Sequence, residues 1–245
     1  MKVKRYIINQ MYRNSDLRKA IAFSLFVKAH SRNSIVKNWN INKLHDLTGV
    51  SVNAIKTRLS TLRDMGLIEE TGVDKKHLVF KSLHSHTAHR NVVLPNVDFK
   101  PDMNLKKNAY AQEIKNLENV LVAMLLVEIQ RRKDFAEQTI QKKRNPHSKK
   151  EYTEAVKTCS RFGYGRRFID KGISYKYMAV KIGMSISKSM QIVKFAVNYG
   201  IVKKIRNIAK RFSLFAKYTE DMLTNYTYSY RNWIYKIYAN KYVVL

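Results

Sequence analysis

The chain has one cysteine, three prolines and eight glycines, and its 18 Asp and Glu are outnumbered by 47 Lys and Arg. A single thiol, Cys159, excludes an intramolecular disulfide, so a disulfide-stapled secreted module is ruled out and a reducing compartment fits. No long hydrophobic run exists: the longest, Val120 to Val127, falls far short of the roughly 20 residues that span a bilayer. The start, Met1-Lys2-Val3-Lys4-Arg5, is basic, but Tyr6 to Tyr12 contains Asn9 and Gln10 and does not read as a signal peptide. A cytoplasmic protein without a membrane partner is therefore expected. A phosphate-cradling glycine loop with its lysine is also missing, which leaves NTP hydrolysis without support.

What the chain does have is charge and aromatics. Its 245 residues carry a formal +29, with 45% hydrophobic residues, 15 Tyr and 10 Phe. That apolar fraction is too high for a disordered basic tail, and the charge calls for an extended polyanion as partner. Abundant Asn, Lys, Ile and Tyr also fit an AT-rich genome.

Periodicity predicts a helix over 16–30, with Leu17, Ala20, Ile21, Ser24, Leu25 and Lys28 at helical spacing and Ser15 or Asp16 as cap. Asn40 to Thr48 is a short amphipathic segment stopped at Gly49, and Ser51 caps a second with Val52, Ile55, Leu59, Leu62 and Met65 on one face. Gly66 ends it, and Leu67-Ile68 and Leu78-Val79-Phe80 read as two strands around the polar stretch Glu69 to His77. The aperiodic stretch from about 84 to 104, with Pro95 and Pro101, reads as a linker. A long helix follows over about 105–143. Its apolar residues, Ile114, Leu117, Val120, Leu121, Met124, Leu125 and Val127, suit a core or a dimer seam. Gln141 to Lys150 reads as a basic loop, and Glu151 to Arg161 as a further helix.

An internal repeat carries the functional argument. Thr48-Gly49-Val50-Ser51-Val52 and Ile182-Gly183-Met184-Ser185-Ile186 place the same turn 134 residues apart, and Gly66-Leu67-Ile68 matches Gly200-Ile201-Val202 at the same offset. Each copy is a short helix, a Gly-x-Ser turn, a longer helix ending in glycine, and an apolar strand. Glycine turns one helix sharply across the next, and serine caps the second so that its N-terminal half can enter a groove. Apolar stretches at 201–208 and 211–215, separated by basic residues, extend the second copy.

Both halves resemble winged helix-turn-helix domains. Leu62-Arg63-Asp64-Met65-Gly66-Leu67-Ile68 is similar to the end of a recognition helix and the start of the wing in that superfamily. The first copy covers about 16–83 and the second about 172–217, where Ser189 stands at the position of the core residue Ile55. Two such units around a long helix also resemble the initiator proteins of iteron-containing plasmids, on architecture alone, with no family motif in 104–171. The resemblance implies a mainly α fold of two winged helix-turn-helix domains, each a three-helix core with a small hairpin wing. Its expected partition is 1–83, a linker 84–104, a long helix and second domain over 105–217, and an aromatic-rich extension 218–245.

Candidate DNA contacts follow from the helix wheel. The segment opened by Ser51 turns Asn53, Thr57, Ser60 and Thr61 outward as base readers, with Lys56, Arg58 and Arg63 on its flanks for phosphates. From Ser185, the outward set is Ser187, Lys188, Gln191, Lys194 and Asn198, with Gln191 suited to a bidentate pair with adenine. Lys75 and Lys76 in the first wing, Lys203, Lys204, Arg206, Lys210 and Arg211 in the second, and Arg166 and Arg167 are further phosphate candidates. For any one residue a solvated helix face is an equal reading. From 161 onward, however, 17 Lys and Arg face only 3 Asp and Glu, and a solvated face mixes signs. Glu69, Glu70 and Asp74 leave the first unit open to protein contacts instead.

Catalytic constellations are weak. His84-Ser85-His86 with His89 suits a histidine-rich loop better than a metal site, and the scattered carboxylates form no acid–base pair. Neither enzyme activity nor cofactor is expected, and Cys159 reads as a packed residue. Tyr226, Tyr228, Tyr230, Trp233, Tyr235, Tyr238 and Tyr242, interleaved with Arg231, Lys236 and Lys241, could stack on bases but suit packing against the second unit or a second subunit better.

The expectation is a double-stranded DNA-binding protein of a bacterial plasmid or phage, associated with the nucleoid and acting in replication initiation. Transcriptional regulation is the runner-up; a structural nucleoprotein and a tyrosine- and histidine-dependent nicking enzyme are further alternatives. A homodimer would use the 105–143 helix or the tail aromatics, and no small-molecule ligand is expected.

Overall fold

The computed structural model describes residues 2–84, 91–93, 107–142, 172–213, 227–230 and 233–244. Over these the chain is mainly α-helical, with helices α1 (Arg5–Met11), α2 (Ser15–His30), α3 (Ile41–Thr48), α4 (Val52–Asp64), α5 (Lys107–Lys142), α6 (Tyr175–Ile182) and α7 (Ile186–Asn198). The strands are β1 (Lys2–Lys4), β2 (Ile35–Lys37), β3 (Ile68–Thr71), β4 (His77–Phe80), β5 (Asn91–Val93), β6 (Val202–Ser213), β7 (Thr227–Tyr230) and β8 (Trp233–Val244). The chain forms two compact units that interleave along the sequence. One comprises Met1–Leu125 with Ala179–Ile201, the other Leu126–Met178 with Val202–Leu245.

In the first unit α2 opens on Asn14, whose side chain accepts from the Leu17 amide at 2.9 Å, so the cap is neither Ser15 nor Asp16 as expected. Asn14 lies one position before the helix, where a side-chain oxygen can reach an otherwise orphaned amide. Far more than one stripe of α2 is buried: Leu17, Ala20, Ile21, Ala22, Phe23, Phe26 and Val27 are all enclosed. Helix α4 packs on α2 and α3 and contributes Ile55, Leu59 and Leu62 to the core. An antiparallel sheet in the order β2-β4-β3 covers it, with Leu78 and Phe80 of β4 turned inward at alternate positions. Two short pieces depart from the expectation. Strand β2 was not signalled, and β5 lies inside the supposed linker, paired antiparallel with β1 so that Val3 faces Val92.

The second copy of the helix–glycine–helix pattern has the same bounds as the first at an offset of 134. Helices α3 and α6, helices α4 and α7, and the starts of β3 and β6 all correspond. Both turns use a left-handed glycine, Gly49 at φ +65° and Gly183 at φ +68°. Both long helices end in the same pair of backbone bonds. The Leu67 amide donates to Leu62 O and Gly66 to Arg63 O; Ile201 donates to Ala196 O and Gly200 to Val197 O. Even the entry caps agree, since Asn40 accepts from the Lys43 amide and Ser174 from the Tyr177 amide.

Helix α5 matches its expected span closely. Residues 120–127 are all buried, as are Ile114 and Leu117. In the second unit Lys133 of α5 donates to Gly172 O at 3.0 Å, and the sheet runs in the order β6-β8-β7. Here the expectation needs correction. The two apolar stretches expected at 201–208 and 211–215 are a single strand over 202–213, and its partner is the tail: Val202 faces Val244 and Ser213 faces Trp233. Residues 227–230 and 233–244 thus belong to a sheet, in which β7 and β8 carry aromatic and β-branched residues that favour extended backbone. Residues 143–171, which hold the basic loop, the helix expected at 151–161, Cys159, Arg166 and Arg167, lie outside the described residues, as do His86 and His89.

Candidate nucleic-acid interface

The turn that presents α4 is tied by side chains. Thr48 Oγ1 donates to Leu44 O and accepts from the Val50 amide, and His45 Nδ1 lies 2.7 Å from Val50 O. Ser51 stands at the N-cap position of α4, but its side chain makes no cap bond, contrary to expectation; only its carbonyl serves the helix, accepting from Ile55. Asn53, Lys56, Thr57 and Ser60 are exposed and Thr61 is half-buried. The hydroxyls of Thr57 and Thr61 donate to the carbonyls of Asn53 and Thr57, which leaves them as acceptors toward an incoming group.

The flanking cations divide. Lys56 is exposed and pairs with no acid among the described residues. Arg58 instead lies over the Phe23 ring, 5.6 Å from its centroid, and burial lowers its pKa while the charge of Glu118 works the other way. Half-buried over Phe23, its guanidinium packs against the chain's own core. Arg63 pairs with Glu70, Lys76 with Asp74 at 3.2 Å and Lys81 with Glu69 at 2.8 Å. Exposed pairs of this kind contribute little to stability, but they cancel charge. Lys75 is exposed at the hairpin tip at φ +55° and pairs with no acid among the described residues.

On α7 the polar geometry is cleaner. Ser185 caps the helix, accepting from the Lys188 amide at 3.1 Å. Ser187, Gln191, Lys194 and Asn198 are all exposed, whereas Lys188 is half-buried and its Nζ reaches Asn119 Oδ1 of α5 at 3.4 Å. Ser189 is buried where the first copy has Ile55, and its hydroxyl is satisfied by Ser185 O. Between 172 and 204 there are six Lys and no Asp or Glu, while the equivalent stretch 38–70 has four carboxylates against four Lys and Arg. Lys203 and Lys204 are exposed at the start of β6; Lys204 Nζ lies 3.2 Å from the Tyr175 hydroxyl. The backbone of Arg206, Lys210 and Arg211 belongs to β6, and their side chains lie outside the described ones.

Sequence reading missed an apolar edge on α7. Ile186, Met190 and Val197 are 48%, 50% and 38% exposed. Overlaying the two copies position by position would have shown it, because Met190 and Val197 stand where the first copy has Lys56 and Arg63.

Among the described residues no group of three or more His, Cys, Asp or Glu could hold a metal ion, and no helix is long and apolar enough to cross a membrane. The chain matches no protein-family model, and comparison with curated proteins and solved structures gave no significant match.

Proposed function

We propose that this chain binds double-stranded DNA through two winged helix-turn-helix units, inserting the N-terminal halves of α4 and α7 into major grooves. The observation that carries the reading is the duplicated helix–glycine–helix pattern, identical in bounds and in the backbone bonds that end its second helix at an offset of 134, in a chain of charge +29. Both second helices present an exposed polar face, and the α7 face has no carboxylate near it in sequence. The two copies divide the labour. With Arg63 and Lys76 already paired to acids, the first copy contributes positioning, and the second copy dominates affinity and base reading.

Replication initiation for a plasmid or phage is the biological role we assign, on the resemblance of the tandem arrangement to iteron-plasmid initiators. Transcriptional regulation needs the same contacts and differs in where the site lies. Selection of bound sequences from a random duplex library at physiological salt tests the reading. A defined motif that relaxes at one position with Gln191→Ala, and at another with Asn53→Ala plus Thr57→Ala, is expected. Direct repeats of that motif at an origin support initiation; a single operator over a promoter supports regulation. Tight binding with no enriched motif would contradict specific readout and leave a charge-driven nucleoprotein.

A further inference from the structure

We infer that α7 is a thymine-reading helix, in which Ile186 and Met190 contact thymine 5-methyl groups next to an adenine paired by Gln191. The inference rests on the DNA-binding reading and adds which bases are read and by which side chains.

The two repeats supply an internal comparison. Where α7 carries Ile186, Met190 and Val197, α4 has the half-buried Val52 and the exposed Lys56 and Arg63. Single exposed apolar residues are ordinary, but Ile186 and Met190 are four apart, one helical turn, and so adjoin on one face. Each keeps about half its surface in water. Cap Ser185 and the bonds of Gly200 fix the helix at both ends, so the edge is a rigid feature and not a frayed terminus.

Charge selects the occupant. The stretch 172–204 has six Lys and no Asp or Glu, and Lys194, Ser187 and Gln191 border the apolar edge on its exposed side. A partner that is anionic overall yet offers apolar groups to a helix is therefore required. In the major groove the thymine methyl is the apolar group on the base edges, and adenine next to it gives the N6 and N7 pair that a glutamine amide matches. Gln191 follows Met190 directly, about 100° further round the helix, on the exposed polar face that the apolar edge borders. Methionine suits such a contact because its unbranched thioether adapts to an irregular surface. Lysine at the equivalent place in α4 has no such preference and suits phosphate.

The test uses the full chain and the duplex selected from the random library. Each thymine in turn is replaced by deoxyuridine, which deletes the methyl and leaves the hydrogen-bonding edge intact. Binding is expected to weaken by about fourfold at one or two positions, the value of one buried methyl group. In Met190→Ala or Ile186→Ala the matching position should become indifferent to the replacement. Met190→Lys, which copies the first repeat, should bind at low salt but lose the discrimination. If a motif is enriched and no uracil position matters by more than twofold, the thymine inference fails and the DNA reading stands. If no duplex is enriched at all, the DNA reading fails and this inference with it. Sedimentation showing a dimer that Met190→Lys dissociates, with an unchanged uracil response, would assign the edge to a second copy and overturn the inference.

Discussion

The guanidinium of Arg18 donates from Nη1 to the carbonyl oxygen of Ile182 at 3.0 Å, joining residues 164 apart in the chain, and to Met11 O at 2.8 Å. Ile182 is the last residue of α6, where a carbonyl has no partner within the helix and a cation complements the helix dipole. Burial lowers the pKa of Arg18, and Glu118 and Asp16 partly offset this. In the first copy the corresponding turn is held by its own Thr48 and His45; in the second it is held by an arginine from the other end of the sequence. Replacing Arg18 with Met keeps the volume but orphans two buried acceptors. The desolvation of a charge whose Nε has no partner is relieved at the same time, so the net loss expected in urea unfolding is about 2 kcal/mol. An unchanged midpoint would contradict the role given to this contact.

The glycines that end and turn the helices should not be equivalent. At Gly183 an added Cβ would lie 2.9 Å from the Arg13 Cα, a backbone atom, and φ is +68°. At Gly200 φ is +65° with nothing within 4 Å of the added atom. Gly200→Ala is expected to cost about 1 kcal/mol from left-handed strain alone. Gly183→Ala should cost clearly more by the same denaturation measurement, since the neighbouring chain must shift.

Lys56 and Arg58 are two apart in sequence and face different surroundings. Lys56→Ala should lower the slope of log K against log salt by about one unit, as loss of one phosphate contact does. Arg58→Ala should leave that slope unchanged and lower stability, because its guanidinium lies over Phe23. The opposite assignment of slope and stability would show that Arg58 reaches DNA.

Burial raises the Tyr177 pKa from 10.0 to about 12. The folded protein therefore keeps the phenol proton through a range in which the unfolded chain releases it. Its contribution to stability is complete below pH 10 and is lost as the pH rises through about 12. The pH dependence of unfolding should be steeper over this range in the wild type than in Tyr177→Phe, and the difference titration between them should show a phenol ionising near 12.

Much of the first repeat was legible because its signals are local. Gly49, Gly66 and the spacing of Ile55, Leu59 and Leu62 depend on turns a few residues long, and the second repeat followed by matching them at Gly183 and Gly200. Local choices between adjacent cap candidates were not legible. Asn14, Ser15 and Asp16 can each cap, and only the path of the chain into α2 selects Asn14. Ser51 and Ser185 occupy the same position, yet only Ser185 closes its bond, so the residue type does not fix the rotamer. Pairing at a distance was the largest omission. The run Trp233-Ile234-Tyr235-Lys236-Ile237-Tyr238 has strong strand propensity, but its aromatics drew attention as a stacking or packing stripe, and nothing local points to β6 as its partner. The packing of Arg58 was hidden for a related reason, since its wheel position marks it as flanking while its contact with Phe23 comes from another helix.

The most direct measurement is the ratio of affinities for the selected duplex and for a scrambled duplex of the same composition, at physiological salt, in wild type and in Met190→Lys combined with Gln191→Ala. The account predicts a wild-type ratio on the order of 10³ or more, as for specific duplex readers. In the double variant that ratio should collapse toward unity while the scrambled duplex binds at least as tightly as before, because the added lysine favours phosphate. A wild-type ratio near unity, or a ratio that survives the double variant, would contradict it.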